Sequence, residues 1–246
     1  MKPIDSHCHL YFDQFGEDRY EVLERAKDEL DFVVVAGCDP ETNLKALELE
    51  KENPDIIKGN MGIHPTYTSA FDKLDEVKNQ IREHDPVAIG EIGLDHHHVK
   101  KEELRERQED VFREMLSLAE ELQKPVVVHS REAEHRCVEI IDEYDLPDVM
   151  LHCFNGEPEL AEEAVKKGYM IGVTTQILYS SRVKEILEQI PLENILLETD
   201  APFLYPDGRN EPVKVLESAE QISELKDIDY SVVVEEMCKS SKRFFS

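Results

Sequence analysis

The chain has 246 residues, of which 40% are hydrophobic, and this length suits one large domain, residues 1–246, better than several small ones. Its apolar runs are far shorter than the roughly 18 or more residues that cross a membrane, which excludes a transmembrane helix. The 28 basic and 55 acidic side chains give a formal net charge of −27, and such a chain repels polyanions and disfavours extended tracking along duplex DNA.

Short apolar runs and charged segments with helical periodicity alternate along the whole chain. Strands are predicted at residues 3–7, 32–36, 57–63, 87–92, 126–129, 149–152, 170–173 and 195–198. Helices are predicted at residues 17–30, 42–52, 73–83, 103–123, 133–144, 159–167 and 182–189, followed by 213–226 and 231–245. Eight such units are typical of parallel strands that close into a (β/α)8 TIM barrel with its helices outside.

An open, doubly wound parallel sheet is the alternative fold. Two features favour the barrel: no glycine-rich phosphate loop follows the first strand, and that strand ends in histidines instead. The five cysteines are widely spaced and contain no C-x-x-C pair, which indicates reduced thiols. Together with an N-terminal segment that lacks a signal-type apolar run, they predict a cytoplasmic protein.

Histidines and carboxylates recur at the C-terminal ends of the predicted strands, the end at which barrel enzymes carry their active sites. His7 and His9 end the first strand and, being two residues apart, project from the same side of it. Other strand ends add Glu91, His129, His152 and Asp200. Six such ligands suit two divalent ions; the donors favour Zn²⁺, Mn²⁺ or Fe²⁺, and the carboxylates also accept Mg²⁺. A site with two such ions indicates hydrolysis by an activated water, without a covalent intermediate.

Seven short motifs, taken in order, resemble the signatures of the TatD-type metal-dependent DNases, a branch of the amidohydrolase superfamily. The resemblance covers nearly the whole chain. The motifs are DSHCHL at 5–10, GIHP at 62–65, GEIGLD at 90–95, HSR at 129–131, HCF at 152–154, ETDAP at 198–202 and RNEP at 209–212.

The resemblance implies two metal ions and a role for each ligand. The first ion would be held by His7, His9 and Asp200. The second would be held by His129 and His152, with Glu91 bridging the two ions.

The same resemblance implies the catalytic and substrate-binding residues. Asp200 would also take the proton of the attacking water, since a carboxylate that touches a metal-bound water can act as its base. Asp200 and Glu91 are therefore the expected catalytic residues. His64 and Arg131 are expected to contact the substrate phosphate. Asn210 is a further candidate for substrate contact, although it could equally belong to a turn before a helix.

The implied activity is hydrolysis of DNA, near a single-stranded or 3′ end. A substrate held mainly at its end accords with the acidic charge, because the bound metals meet its phosphate locally. No obligate protein partner is inferred. The alternatives are an amidohydrolase that cleaves a small-molecule ester, amide or phosphoester, and a non-catalytic protein that keeps the site for structural metal or a binding partner. Three consecutive histidines, at positions 96–98, are expected in a solvated loop on the active face.

Overall fold

The computed structural model describes residues 1–246 and contains eight parallel strands arranged in the order β1 to β8. The strands are β1 (Asp5–Cys8), β2 (Val33–Ala36), β3 (Ile57–Met61), β4 (Ala88–Asp95), β5 (Val126–Arg131), β6 (Val149–His152), β7 (Met170–Val173) and β8 (Ile195–Leu197). The helices are α1 (Arg19–Glu29), α2 (Pro40–Glu52), α3 (Leu74–His84), α4 (Glu102–Leu122), α5 (Glu134–Ile141), α6 (Pro158–Lys166), α7 (Ser181–Gln189), α8 (Val215–Lys226) and α9 (Tyr230–Phe244). The predicted TIM barrel is confirmed, and no helix has both the length and the hydropathy required to span a membrane.

The barrel closes where β1 meets the segment that follows β8. The backbone N–H of Asp200 donates to the carbonyl of His7 at 2.9 Å, and the N–H of His9 donates to the carbonyl of Ala201 at 2.7 Å. These parallel-type bonds join the two ends of the sheet. They also carry the histidines of the first strand to the side of Asp200.

Apolar side chains fill the barrel below the polar end. The strands are buried on both faces, as the uninterrupted Val-Val-Val-Ala of β2 illustrates, because helices cover the outside and side chains fill the inside. The inner cluster consists of Ala88, Val127, Met150, Met170, Leu196 and Phe244. Since Phe244 comes from α9, the last helix closes the bottom of the barrel. Polar side chains therefore meet at the opposite end.

The structure moves some predicted boundaries. The helix α2 begins at Pro40, two residues earlier than predicted, because Asp39 and Thr42 form a capping box in which each side chain accepts from the other residue's backbone N–H. The strand β4 extends three residues beyond the prediction, to Asp95, and pairs with a lengthened β5. Gly93 permits this approach: its φ is 135°, and a Cβ there would lie 2.0 Å from the carbonyl oxygen of His129.

Candidate active site

The first group of side chains at the polar end contains His7, His9 and Asp200. The Nε2 atoms of His7 and His9 lie 3.2 Å apart, and both rings are buried. Asp200 Oδ1 lies 3.3 Å from His9 Nε2 and 3.9 Å from His7 Nε2. His7, in β1, and His9, just after it, thus lie beside the carboxylate that follows β8.

Glu91 lies between this group and a second set of histidines. Its Oε2 is 3.3 Å from His7 Nε2 and 3.8 Å from His9 Nε2. Its Oε1 faces the other way, toward His129 Nδ1 at 2.7 Å, His64 Nε2 at 3.2 Å and His152 Nε2 at 3.7 Å. One buried carboxylate therefore divides its two oxygens between two groups of imidazoles.

Neighbouring acceptors determine which ring nitrogen is free on two of the histidines. His9 Nδ1 lies 2.9 Å from the carbonyl oxygen of Ala36, which can only accept, so Nδ1 carries the proton. His152 Nδ1 lies 2.6 Å from Glu198 Oε2; burial raises the pKa of Glu198 to about 8, and once ionised this carboxylate accepts from Nδ1. In its neutral form each ring then directs an unprotonated Nε2 at the centre of the site, which is the form in which histidine binds metal.

The charges of the site are those of a metal-binding set. Burial lowers the pKa of His7, His64 and His152, so these rings are neutral. Burial alone would raise the pKa of Glu91, but the surrounding histidines outweigh it and hold that pKa well below its usual value. The pKa of Asp200 is lowered as well, because bonding to His9 and the nearby rings outweigh its burial. The two carboxylates are thus ionised beside these three neutral rings. Burial lowers the pKa of His9 too, but Cys38 and Asp200 outweigh it and raise that pKa well above its usual value.

The side chains present fit a divalent cation. Two ligand atoms held about 2.1 Å from one ion at a tetrahedral angle lie about 3.4 Å apart, close to the separations between His9 Nε2 and its neighbours His7 and Asp200. A cation shared by these groups would replace the proton on His9 Nε2, because histidine binds metal in its neutral form. Glu91 with His7 and His9 forms one such group, and His7 with His152 and Glu198 forms another.

His64 lies among the ligand atoms, but its hydrogen bonds distinguish it from them. The backbone N–H of Thr66 donates to His64 Nδ1 at 3.1 Å, and a backbone N–H can only donate. Nδ1 is therefore unprotonated, and in the neutral ring Nε2 carries the hydrogen that points at Glu91. Although His64, Glu91 and His129 are close enough to hold an ion, this tautomer makes His64 a hydrogen-bond donor.

Two carboxylates that the sequence analysis assigned no role orient the second group of histidines. Glu198 binds His152, as described above, and its second oxygen accepts from the Cys153 N–H at 2.6 Å. Asp95 Oδ2 lies 3.0 Å from His129 Nε2, which leaves Nδ1 of that ring facing Glu91. Such carboxylate–histidine pairs fix ring orientation and strengthen ligand basicity. Both acids lie in the quoted motifs. Their position at buried strand ends is the sequence feature from which their role could have been predicted.

His129 is held between two carboxylates. Burial opposes its charged form, but bonds to Asp95 and Glu91 outweigh burial and raise its pKa to about 9. A metal ion would replace the proton on the nitrogen that faces Glu91. Of the three consecutive histidines, His98 bonds Asp95 and His97 bonds Glu132, and the run forms a turn after β4.

Arg131 and Asn210 occupy different environments. Arg131 ends β5 and is exposed at the rim, where it is open to solvent. Asn210 is fully buried, and its Nδ2 lies 2.8 Å from the carbonyl oxygen of Thr199 and 2.7 Å from that of Phe203. Its Oδ1 accepts from the backbone N–H of Glu211. The expected substrate contact of Asn210 is therefore not available, because its amide is used to close the loop after β8.

We expect Asn210→Ala to lower the free energy of unfolding by about 1–3 kcal/mol, because it leaves buried carbonyls without a partner. Urea denaturation followed by circular dichroism measures this change. Asn79→Ala, on the exposed face of α3, is the matched control and should change stability by less than about 0.5 kcal/mol. Equal stability of the two variants would show that the amide does not hold the loop.

A barrel that gathers histidines and carboxylates at the C-terminal ends of its strands defines a class, the metal-dependent hydrolases. Within that class the chain belongs to the family described as TatD related DNase, whose sequence profile matches residues 4–246. The resemblance recognised in the motifs is thereby confirmed. Its members' names place the chain among hydrolases that act on ester bonds.

Relatives match the chain from end to end. An uncharacterized metal-dependent hydrolase of Methanocaldococcus jannaschii is 38% identical, with 100% of this chain and 97% of the relative covered. The human deoxyribonuclease TATDN3 is 32% identical, with 98% of this chain and 94% of the relative covered. Among solved structures, the TatD homologue YjjV of Escherichia coli superposes with a TM-score of 0.88 at 28% identity, covering 99% of this chain and 97% of that one.

Proposed function

We propose that this chain is a deoxyribonuclease that hydrolyses a phosphodiester bond near a single-stranded or 3′ end of DNA. The observation that carries the proposal is the division of the Glu91 oxygens between two groups of imidazoles. A carboxylate in that position can bridge two divalent ions, the arrangement that serves phosphodiester hydrolysis in many nucleases. Relatives named deoxyribonuclease and single-stranded DNA/RNA exonuclease support it.

The proposed ligand sets follow the two groups of side chains. Mg²⁺, Mn²⁺ and Zn²⁺ are the candidate ions. The first ion is assigned to His7, His9 and Asp200, and the second to His129 and His152, with Glu91 shared. When bound, such ions make a water acidic enough to attack at neutral pH and neutralise charge on the phosphate.

The chain's own groups perform the remaining steps. Asp200, whose side chain is 17% exposed, is open enough to accept a proton from the attacking water, and its lowered pKa keeps it ionised for this purpose. Arg131 presents an exposed guanidinium suited to bind the phosphate oxygens, and His64 would bind them by turning to the phosphate the N–H that it directs at Glu91. Glu91 and Asp200 are the proposed catalytic residues, whereas Asn210 positions the loop that follows Asp200.

The charge of the molecule restricts how the substrate is held. Two divalent ions would add +4 to a pocket in which Glu91 and Asp200 supply −2 and Asp95 and Glu198 at most −2 more, so the ions offset the local acidity on a chain of net charge −27. We therefore propose weak, salt-sensitive binding at a strand end rather than along a duplex. The chain forms one domain in this proposal, and its unpaired thiols, four of them buried, support a cytoplasmic setting.

The same acidic surface favours a second candidate, hydrolysis of a small-molecule ester, amide or phosphoester by the same ligands. An end-labelled single-stranded oligonucleotide, incubated with Mg²⁺, Mn²⁺, Zn²⁺ or Co²⁺, separates the two. Stepwise shortening from the 3′ end that stops when the metal is chelated supports the deoxyribonuclease. No cleavage by folded, metal-loaded protein, together with turnover of a small ester or amide, would replace it with the second candidate.

We expect Zn²⁺ or Mn²⁺ to raise the melting temperature of the chelator-treated protein. Binding at 100 times the Kd stabilises the folded state by about 2.7 kcal/mol, or about 5–10 °C for a chain of this size. Differential scanning fluorimetry measures the shift. His9→Ala should lose most of it, whereas His135→Ala, which removes an exposed ring from α5, should keep it. A shift retained by His9→Ala would place the metal elsewhere.

A further inference from the structure

An exposed aromatic ring stands beside the proposed metal ligands. Phe203, three residues after Asp200, is 44% exposed, although a phenylalanine side chain is normally buried. Its ring centroid lies 6.5 Å from that of His9. No step of the proposed hydrolysis uses this ring, which is open to solvent next to a proposed metal ligand.

The backbone around Phe203 is held in place. Its N–H donates to the carbonyl of Asp200 at 2.9 Å, and its own carbonyl oxygen lies 2.7 Å from the Asn210 amide nitrogen. Further along the loop, Arg209 forms two bonds to the carboxylate of Asp18, at 2.7 and 2.6 Å. The ring therefore needs little ordering when a ligand arrives, which lowers the entropic cost of binding.

A second phenylalanine supports the first. Phe12, in the loop after β1, lies with its ring centroid 5.6 Å from that of Phe203 and edge-on to it at 71°. It is also 5.6 Å from the His9 ring and packs on Tyr11 at 4.9 Å. Phe12 and Phe203 together form what we call the aromatic shelf, an apolar surface of two rings packed edge to face that borders a cluster of polar ligands.

We propose that the aromatic shelf binds a nucleobase of the substrate by stacking, so that the phosphate attached to that nucleoside lies over the site. This inference rests on the proposed function and names its substrate more closely. A base in a duplex is already stacked on both sides, so the shelf accepts an unpaired base and selects a single-stranded or frayed end. Stacking depends on no particular base, because every base has a π face.

The shelf also accounts for binding by an acidic protein. Nucleic-acid affinity usually comes from cationic side chains along the backbone, which a chain of net charge −27 has in short supply. Uncharged rings beside the metal ligands provide affinity that does not depend on a basic groove. This part of the affinity should resist salt.

The chain contains no tryptophan, so Phe203→Trp places a single fluorescent reporter on the shelf. The probes for the metal-loaded variant are a phosphorothioate-linked pentathymidylate, which is cleaved slowly, and an abasic phosphorothioate pentamer of the same charge. We expect the base-bearing probe to quench the tryptophan and to bind at least about fivefold more tightly than the abasic one. Equal quenching by both probes, or quenching by neither, overturns the proposal.

Kinetics provide a second measurement that does not depend on the reporter. Phe203→Ala should raise KM for a single-stranded oligonucleotide by about tenfold with kcat nearly unchanged, and Phe203→Tyr should restore it. For an oligonucleotide with abasic terminal nucleotides, the wild type and Phe203→Ala should have the same KM. Tyr230→Ala, which removes a 38% exposed ring at the start of α9, is the control and should have no effect. An equal rise of KM for both substrates would make Phe203 merely structural.

The failures of the two proposals are distinguishable. If the wild-type protein hydrolyses DNA and the Phe203→Trp reporter does not respond to bases, the shelf is wrong and the deoxyribonuclease stands. If the wild type hydrolyses no DNA, the deoxyribonuclease is wrong, and base-dependent quenching alone decides whether the shelf binds nucleobases.

Discussion

Replacing Glu91 by glutamine should reduce metal-dependent hydrolysis by about a thousandfold, which corresponds to roughly 4 kcal/mol of transition-state stabilisation. The amide has the same shape as the carboxylate but no charge, and one of its two ends can only donate hydrogen bonds. It therefore cannot offer an oxygen to both His7 and His129, which the carboxylate contacts at 3.3 and 2.7 Å. Initial rates on an end-labelled oligonucleotide measure the loss.

The Glu91→Gln variant should remain folded, because the barrel core below it is apolar and untouched. Circular dichroism confirms the fold, and a metal assay should find less than the full complement of ions. Glu114→Gln, on the exposed surface of α4, is the matched control and should hydrolyse at the wild-type rate. Activity of Glu91→Gln within tenfold of wild type would contradict the bridging assignment.

Asp200→Asn is expected to lower kcat by about 10²–10⁴-fold, the range associated with loss of a general base. Asp200 has a φ of 57°, and asparagine is among the few residues that tolerate this left-handed conformation, so the backbone is preserved. The loss should persist at saturating metal, since an amide cannot accept the proton of the attacking water. Asp207→Asn, in the same loop and exposed, should retain full activity.

Metal dependence separates the two roles proposed for Asp200. If excess Mn²⁺ restores the wild-type kcat of Asp200→Asn, the residue is a ligand and not the proton acceptor. If the variant binds two ions and remains inactive, the proton-accepting role is supported. For the wild type, the lowered pKa of Asp200 keeps the carboxylate ionised at neutral pH, so falling pH should reduce activity first by protonating the histidine ligands and only later by protonating Asp200.

The sequence analysis predicted the barrel correctly because the signals were local. Uninterrupted apolar runs such as Val33 to Val35 mark strands covered on both faces, and charged segments of helical period separate them. The predicted ligands also came from local pattern, since polar residues that end parallel strands must share one end of a barrel. Boundaries were less accurate: the capping box at Asp39 and the close pairing of β4 with β5 each moved an end.

The sequence by itself therefore determined the architecture and which strand ends carry the histidines and carboxylates, while tertiary structure alone decided which partners each side chain has. Glu198 meets a histidine 46 positions away and Asp95 one 34 positions away, separations that no periodicity reports. The tautomer of His64 depends on Thr66 closing back upon its ring. Residue type alone suggests that Asn210 is exposed and Phe203 is buried, but the structure shows the reverse. The buried amide of Asn210 donates hydrogen bonds to carbonyls of the loop that carries Phe203, and the ring of Phe203 is exposed.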